Sequence, residues 1–234
     1  MVQIFDQMAE TAARLLLRQG TVTRVTDLPG QLRQIDMETS PGSWSPGQKV
    51  QVHISGRVLR TFTPSRWTER SVSLLVHTVG STPASRWAGG LSVGAGVRML
   101  GPRPSLDLSR LAGAPIMVGD ETSVGLAAAW SSHGNAPAVA SVFECDSPEE
   151  LGAALGILQL GAADVLVKRD SVDGHLDALT EGVVEAVRRH PDAPLVLTGR
   201  SQTISAIRRH LKGANLRPTS FVKTYWDPNR TGLD

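Results

Sequence analysis

GPRPSLDLS, residues 101–109, separates two stretches of the chain written in different periods, and the fold is decided by what stands on either side of it. Before it, TVTRVT (21–26), QLRQIDME (31–38), KVQVHIS (49–55), RVLRTFT (57–63), RSVSLLVHT (70–78) and GVRML (96–100) alternate polar and apolar residues. That period of 2 belongs to strands with one buried face. LPG (28–30), SPGSWSPGQ (40–48) and SVGAG (92–96) punctuate them with turn residues. Six such strands predict a small antiparallel β-barrel, because closure hides edges that an open sheet leaves unpaired. PASRWAGGL (83–91) has the apolar spacing of one or two helical turns and reads as a plug helix.

After the divide, short apolar runs alternate with longer amphipathic segments. PIMVGD (115–120), AVASVFEC (138–145), ADVLVKR (163–169), PLVLTG (194–199) and TSFVKTYW (219–226) read as strands. Between them ETSVGLAAAWSS, SPEELGAALGILQL, DGHLDALTEGVVEAVRRH and RSQTISAIRRHLK read as helices. Ser147 followed by Pro148 is an N-cap with proline at the first helical position. This βαβ succession predicts a five-stranded parallel, doubly wound sheet covered on both faces. The expected organisation is a two-domain β plus α/β chain: residues 1–106, a six-stranded antiparallel barrel with a helical lead over 1–19, then residues 107–234, the α/β domain.

The 234 residues are 41% hydrophobic and 20% charged, globular values in a chain long enough for one large or two small domains. No run of about 18 apolar residues is present, so no stable membrane insertion is expected. Leu15–Leu17 lies between Arg14 and Arg18, without the apolar length or cleavage site of an export signal. A single cysteine, Cys145, rules out an internal disulfide framework and fits a reducing compartment, with the cytoplasm as the expected location. The net charge is only +2, and the Arg188-Arg189-His190 and Arg208-Arg209-His210 clusters fall at helix ends, where cations offset the dipole. No nucleic-acid partner is expected. The six histidines lack metal-ligand spacing and no G-x-S-x-G elbow occurs, so no metal site is expected.

The chemistry instead gathers at strand ends. In RTFTPSRW (60–67) a regular strand puts Arg60 and Phe62 on one face and Thr61 and Thr63 on the other until Pro64 breaks it. Arginine takes phosphate bidentately, an aromatic ring lies against a planar heterocycle, and a hydroxyl satisfies a ring nitrogen. The alternative is that Phe62 packs in the barrel and Arg60 is exposed. His77 closes its strand as either a turn residue or a ligand contact.

Taken together, the segments resemble siderophore-interacting proteins, a branch of the ferredoxin reductase superfamily, over nearly the whole chain. The family's R-x-Y-T flavin motif is similar to Arg60-Thr61-Phe62-Thr63. Its H-G-x-x-G-P-A-S-x-W-A is similar to the run from His77 through Pro83-Ala84-Ser85-Arg86-Trp87-Ala88. G-P-R is Gly101-Pro102-Arg103, G-D-E-T is Gly119-Asp120-Glu121-Thr122, and the closing Y-W is Tyr225-Trp226. The resemblance implies a bound FAD held by the barrel, with Arg60 on its phosphates, Phe62 beside the ribityl or isoalloxazine, and Thr63 near the flavin N5. It places Ser85 and the start of the plug helix at the pyrophosphate, His77 beside the ribityl-phosphate chain, and Gly101 in the cofactor-binding set. NADPH or NADH would sit at the carboxyl ends of the second sheet, at Gly119, Asp120, Glu121 and Thr122 and at Gly199 and Arg200. Tyr225 or Trp226 would shield the flavin face, so Thr63 and Trp226 are the residues on which catalysis is expected to depend. The implied activity is reduction of a ferric siderophore or small ferric chelate, hydride passing to flavin and single electrons to iron.

The sequence departs from the family at several positions. Phe62 replaces a tyrosine, Ser65 stands where a second arginine is usual with Arg66 one residue later, and Thr82 replaces a glycine. Arg200 replaces a glutamate, and Asp227-Pro228-Asn229-Arg230 replaces a basic tail. These leave two alternatives open: a flavoprotein exchanging electrons with a ferredoxin-like partner, and a flavin-binding module without turnover.

Overall fold

The computed structural model describes residues 17–230 apart from 57 and 135. Most of the expected helical lead lies outside the described residues, and its last two, Arg18 and Gln19, open the first strand. The first half forms β1 (Arg18–Leu28), β2 (Leu32–Thr39), β3 (Lys49–Ser55), β4 (Val58–Phe62), β5 (Pro64–Trp67), β6 (Ser71–His77) and β7 (Gly96–Arg103), with helix α1 (Pro83–Gly89) between β6 and β7. All pairings are antiparallel, in the order β4-β3-β7-β1-β2-β6-β5. The two end strands are consecutive in sequence with only Thr63 between them, so the sheet curls until its ends meet at that residue. Inside lie Val22, Ile35, Met37, Val50, Val52, Val72, Leu74, Val97 and Met99, all from strands, with Ala88 of α1 as the plug.

Seven strands replace the expected six. The fourth strand does not simply end at Pro64: the chain crosses there from pairing with β3 to pairing with β6. Proline tolerates this position because it begins an edge strand, where its missing N–H costs no ladder bond. Pro64 lies opposite Leu74, and Arg66 opposite Ser73, which leaves Ser65 as an extra, bulged residue. Ser65 is buried and donates to the Ser73 carbonyl at 3.1 Å, while Arg66 points to solvent. Arg66 therefore forms part of a strand exterior rather than a loop.

The second half contains β8 (Ile116–Gly119), α2 (Val124–Ser132), β9 (Ala140–Cys145), α3 (Pro148–Ile157), β10 (Val165–Lys168), α4 (His175–Arg189), β11 (Leu195–Arg200), α5 (Ser201–Gly213) and β12 (Ser220–Trp226). Its five strands are all parallel, ordered β10-β9-β8-β11-β12, the doubly wound sheet expected from the sequence. Alternation assigns the faces. Ile116, Val118, Leu195 and Leu197 pack with Leu179 and Val183 of α4 and Ile204 and Ile207 of α5. Met117 and Val196 face Leu126 and Trp130 of α2 on the opposite side. Ser147 caps α3 by accepting the Glu150 N–H at 3.3 Å.

A shared core joins the sheets. Leu32 and Leu75 of the barrel pack with Val124 of α2, Phe143 of β9 and Leu151 and Leu155 of α3. Each such side chain contributes about 1.5–3 kcal/mol when fully buried. Strand order reverses between β8 and β11, and ligands of open parallel sheets bind at the carboxyl ends beside such a switch point. The shared core turns those ends toward Thr63.

Candidate functional site

The barrel supplies one wall. Phe62 stacks against Trp87 of α1, with ring centroids 5.6 Å apart. Behind Thr63, Gly125 of α2 comes so close that an added Cβ would lie 3.3 Å from the Thr63 carbonyl oxygen, so the helix fixes the strand crossing. Thr82 is the N-cap of α1: its Oγ1 accepts the Ser85 N–H at 3.1 Å, and Ser85 Oγ donates to the Val79 carbonyl at 2.8 Å. The threonine standing in place of the family's glycine thus secures the helix start. His77 ends β6 with its Nε2 buried and without a hydrogen-bond partner. Burial holds its pKa below the ordinary histidine value, partly offset by Glu121 and Asp146.

The opposite wall comes from the parallel strand ends. Thr224 pairs with Gly199 and Trp226 with Arg200, leaving Tyr225 as a bulged residue. A regular strand would send Tyr225 and Trp226 to opposite faces. The bulge lets both reach one cleft. Tyr225 OH lies 3.2 Å from Thr63 Oγ1, joining the two walls, and burial pushes its phenol up to about 12.

Trp226 is held from three sides. Its Nε1 donates to Asp120 Oδ2 at 2.7 Å, and the guanidiniums of Arg169 and Arg200 stand 5.8 and 5.9 Å from its ring. Cation–π contacts of this length add about 0.5–2 kcal/mol each. Asp120 is fully buried, which raises its carboxyl to about 6 despite the hydrogen bonds from Thr122 and Trp226. Its carboxylate reaches Trp226 across β11, over Gly199, where an added Cβ would lie 2.6 Å from Oδ2.

Arg169, just beyond β10, joins the acidic side chains beneath. It donates to Glu121 Oε2 at 2.6 Å and Asp146 Oδ1 at 2.7 Å. Buried Glu144 lies below, accepting from Thr203 Oγ1 at 2.7 Å and pairing with His175 Nε2 at 2.7 Å. One ligand atom each from His77, Glu121 and Asp146 falls within 4.8 Å of the others, a metal-like composition. There the Arg169 guanidinium already supplies positive charge to both carboxylates.

The walls enclose a cleft of about 400 Å³, within the range of small-molecule sites. Of the residues expected from the sequence, Phe62, Thr63, His77, Ser85, Glu121, Thr122, Tyr225 and Trp226 line it together. Six do not. Arg60 donates to its neighbour's carbonyl, that of Leu59, at 2.8 Å. Gly101 sits against β3, where a Cβ would lie 2.9 Å from the Lys49 carbonyl oxygen. Gly119 and Gly199 leave room for Ser123 and Asp120 respectively, Asp120 supports Trp226, and Arg200 stacks beyond it. The sequence reading missed Arg169 and Lys223 in the lining, and Glu144 and His175 beneath it. Arg169 closes the run ADVLVKR, and its place at a parallel-strand carboxyl end was the signal available.

The overall architecture is shared with solved structures. A siderophore-interacting protein, SipS from Aeromonas hydrophila, superposes with a TM-score of 0.73 at 18% identity, over 92% of this chain and 93% of that one. A siderophore utilization protein from T. fusca superposes with a TM-score of 0.68 at 19% identity, covering 93% and 95%. The ferredoxin reductase in carbazole 1,9a-dioxygenase, in an FAD apo form, gives 0.70 at 16% identity, covering 90% and 67%. No protein-family model matches the sequence, and no curated protein matches it. The chain therefore has the two-sheet fold of ferredoxin reductase-type and siderophore-interacting proteins. Among the described residues no helix is long and apolar enough to cross a membrane.

Proposed function

We propose that the cleft holds the isoalloxazine of FAD and that the protein is an NAD(P)H-linked flavin reductase whose acceptor is a ferric siderophore or related ferric chelate. The observation that carries this reading is the meeting of Phe62 and Thr63 with Tyr225 and Trp226 around one cavity, at a topological switch point. The residues present fit the cofactor. Phe62 offers a ring face and Leu75, Val76 and Val79 an apolar floor, while Thr63 and Tyr225 hold the polar edge. His77 Nε2 is a buried polar atom that a bound group would satisfy. FAD, when bound, supplies the step between a two-electron donor and a one-electron acceptor such as ferric iron. The chain's own part is to bind, orient and exclude water: Thr63 fixes the hydroxyl position at the strand crossing, and Trp226 sets the width of the mouth. The ferric acceptor class follows from likeness of fold to proteins so described. We also propose that residues 1–106 and 107–234 act as the flavin and nucleotide lobes.

The visible spectrum of purified protein titrated with FAD, before and after anaerobic NADH or NADPH, tests the reading. Expected are saturable FAD uptake and bleaching on nucleotide addition. Protein that takes up no FAD overturns it, and bleaching by a reduced ferredoxin alone replaces the donor.

Thr63→Val tests the strand crossing. It keeps the shape and deletes a hydroxyl whose hydrogen bond is worth about 1–1.5 kcal/mol, so flavin reduction should slow about tenfold. FAD affinity should change less than reduction. Tyr225→Phe removes the Thr63–Tyr225 bond from the other side and should slow reduction less. Equal defects in the two variants would assign the effect to that bond rather than to a ligand contact by Thr63.

A further inference from the structure

We infer that Asp173 is a specificity-determining residue which makes the strand-end site favour the unphosphorylated donor NADH over NADPH. This rests on the nucleotide-linked reading above and concerns which dinucleotide that same site accepts.

The two donors differ by one phosphate on the adenosine ribose, close to two negative charges at neutral pH. Sites that take the phosphate present a free arginine, and sites that take the bare ribose present a carboxylate to its hydroxyls. Near the cleft, the ledge at the end of β11 carries Arg200, continuous with the mouth through its stacking on Trp226. Arg200 is already committed. Its Nη1 and Nη2 donate to Oδ1 and Oδ2 of Asp173 at 2.5 and 3.1 Å, the bidentate fork that an arginine otherwise offers a phosphate. Arg200 is mostly buried, its side chain 12% exposed, while that of Asp173 is 36% exposed and faces outward. It also holds the Asp173 carboxyl below its ordinary value.

Asp173 cannot easily swing away. It occupies a left-handed conformation, φ +62°, in a loop fixed by Asp170. Asp170 accepts the backbone N–H groups of Val172 at 2.9 Å, Gly174 at 3.0 Å and His175 at 2.7 Å. The neighbouring cation Arg169 is tied to Glu121 and Asp146, while Lys168 and Arg230 are exposed. Beyond Arg200 lies another carboxylate, Asp227, held by Ser201 Oγ at 2.6 Å. A 2′-phosphate arriving beside Asp173 meets an arginine whose fork is already occupied and a carboxylate, with Lys168 and Arg230 as the exposed cations nearby, whereas a ribose hydroxyl can donate to Asp173.

The test compares FAD-loaded protein reduced by NADH and by NADPH, with ferricyanide as acceptor, alongside calorimetric titration with 5′-AMP and 2′,5′-ADP. Expected is a kcat/KM at least tenfold higher for NADH, and 2′,5′-ADP binding no tighter than 5′-AMP. Asp173→Asn removes the charge while keeping a residue that accepts left-handed backbone. It should narrow the NADH preference at least fivefold and tighten 2′,5′-ADP binding. Adding Arg200→Gln should abolish that gain. A wild-type preference for NADPH, or a ratio unmoved by Asp173→Asn, overturns the assignment of Asp173 while leaving the reductase reading intact. If neither dinucleotide reduces the flavin and neither fragment binds, the nucleotide-linked reading falls and this inference falls with it.

Discussion

Gly199→Ala should be among the most damaging single-methyl changes in the chain, lowering the melting temperature by roughly 5–15 °C and releasing Trp226. Two costs add. Gly199 has φ +101°, a backbone region that L residues rarely adopt and that costs about 1–2 kcal/mol even in its milder left-handed part. The new Cβ would also sit 2.6 Å from Asp120 Oδ2 and 2.9 Å from its Cγ, so the carboxylate must move. Moving it breaks the 2.7 Å bond from Trp226 Nε1 and leaves a buried donor unpaired, another loss of about 1–3 kcal/mol. In a chain of this size each kcal/mol lowers the melting temperature by about 2–4 °C. Gly156→Ala is the control. It lies in α3 with nothing within 4 Å of its added Cβ, and there alanine should stabilise by about 0.5–1 kcal/mol. Calorimetry with tryptophan emission checks both. A Gly199→Ala protein that melts like the parent, with unshifted emission, would show that Asp120 does not reach over β11.

The same residue shows where sequence reading stops. That Thr198-Gly199-Arg200-Ser201 ends a parallel strand is visible in the run PLVLTG before a helical pattern, because strand period and strand-end chemistry are local. The partner of Gly199 is not visible. Asp120 lies 79 positions earlier, and its reach over β11 to Trp226 depends on strand order, which periodicity does not encode. Bulges hide for a related reason. One extra residue at Ser65 turns Arg66 outward, and one at Tyr225 sends both terminal aromatics into the cleft, yet neither leaves a mark in composition. Pro64 is visible in the sequence as a break but not as a beginning, since a proline that stops one ladder is equally suited to open another at an edge. Thr82 counts as a departure when glycine is expected, while its own chemistry, an N-cap hydroxyl, is legible in the sequence. The site residues legible in advance lie within contiguous motifs. Those missed, Arg169, Glu144 and Asp173 among them, act through partners brought together by the sheet.

Stability should fall as pH rises through the titration of Asp120, and Asp120→Asn should abolish that part of the pH dependence. Burial sets the direction: the folded carboxyl titrates near 6, against an ordinary value of 3.8, although Thr122 and Trp226 donate to it. Glu121 of its own turn and Glu144 of β9 reinforce the rise, while Arg169 and Arg200 lie against the Trp226 ring. Between the two values the folded chain binds the proton that the unfolded chain has released, so protonation favours folding. From this group alone the protein should be about 1.4 kcal/mol more stable at pH 5 than at pH 8. The asparagine amide cannot reproduce the pattern, because its NH₂ must face either the Trp226 N–H or the Thr122 N–H and leave a donor unmatched. Denaturant midpoints for parent and variant at both pH values isolate the term, since other titrating groups largely cancel in the difference. The stability gap between them should widen toward pH 5 by about 1.4 kcal/mol, and a gap independent of pH would mean that Asp120 stays ionised throughout. The functional consequence follows from the same bond. A neutral carboxyl accepts the indole N–H less strongly than a carboxylate does, so Trp226 should loosen as Asp120 gains its proton. Trp226 is then most tightly held above pH 6, where the buried charge on Asp120 costs the protein stability.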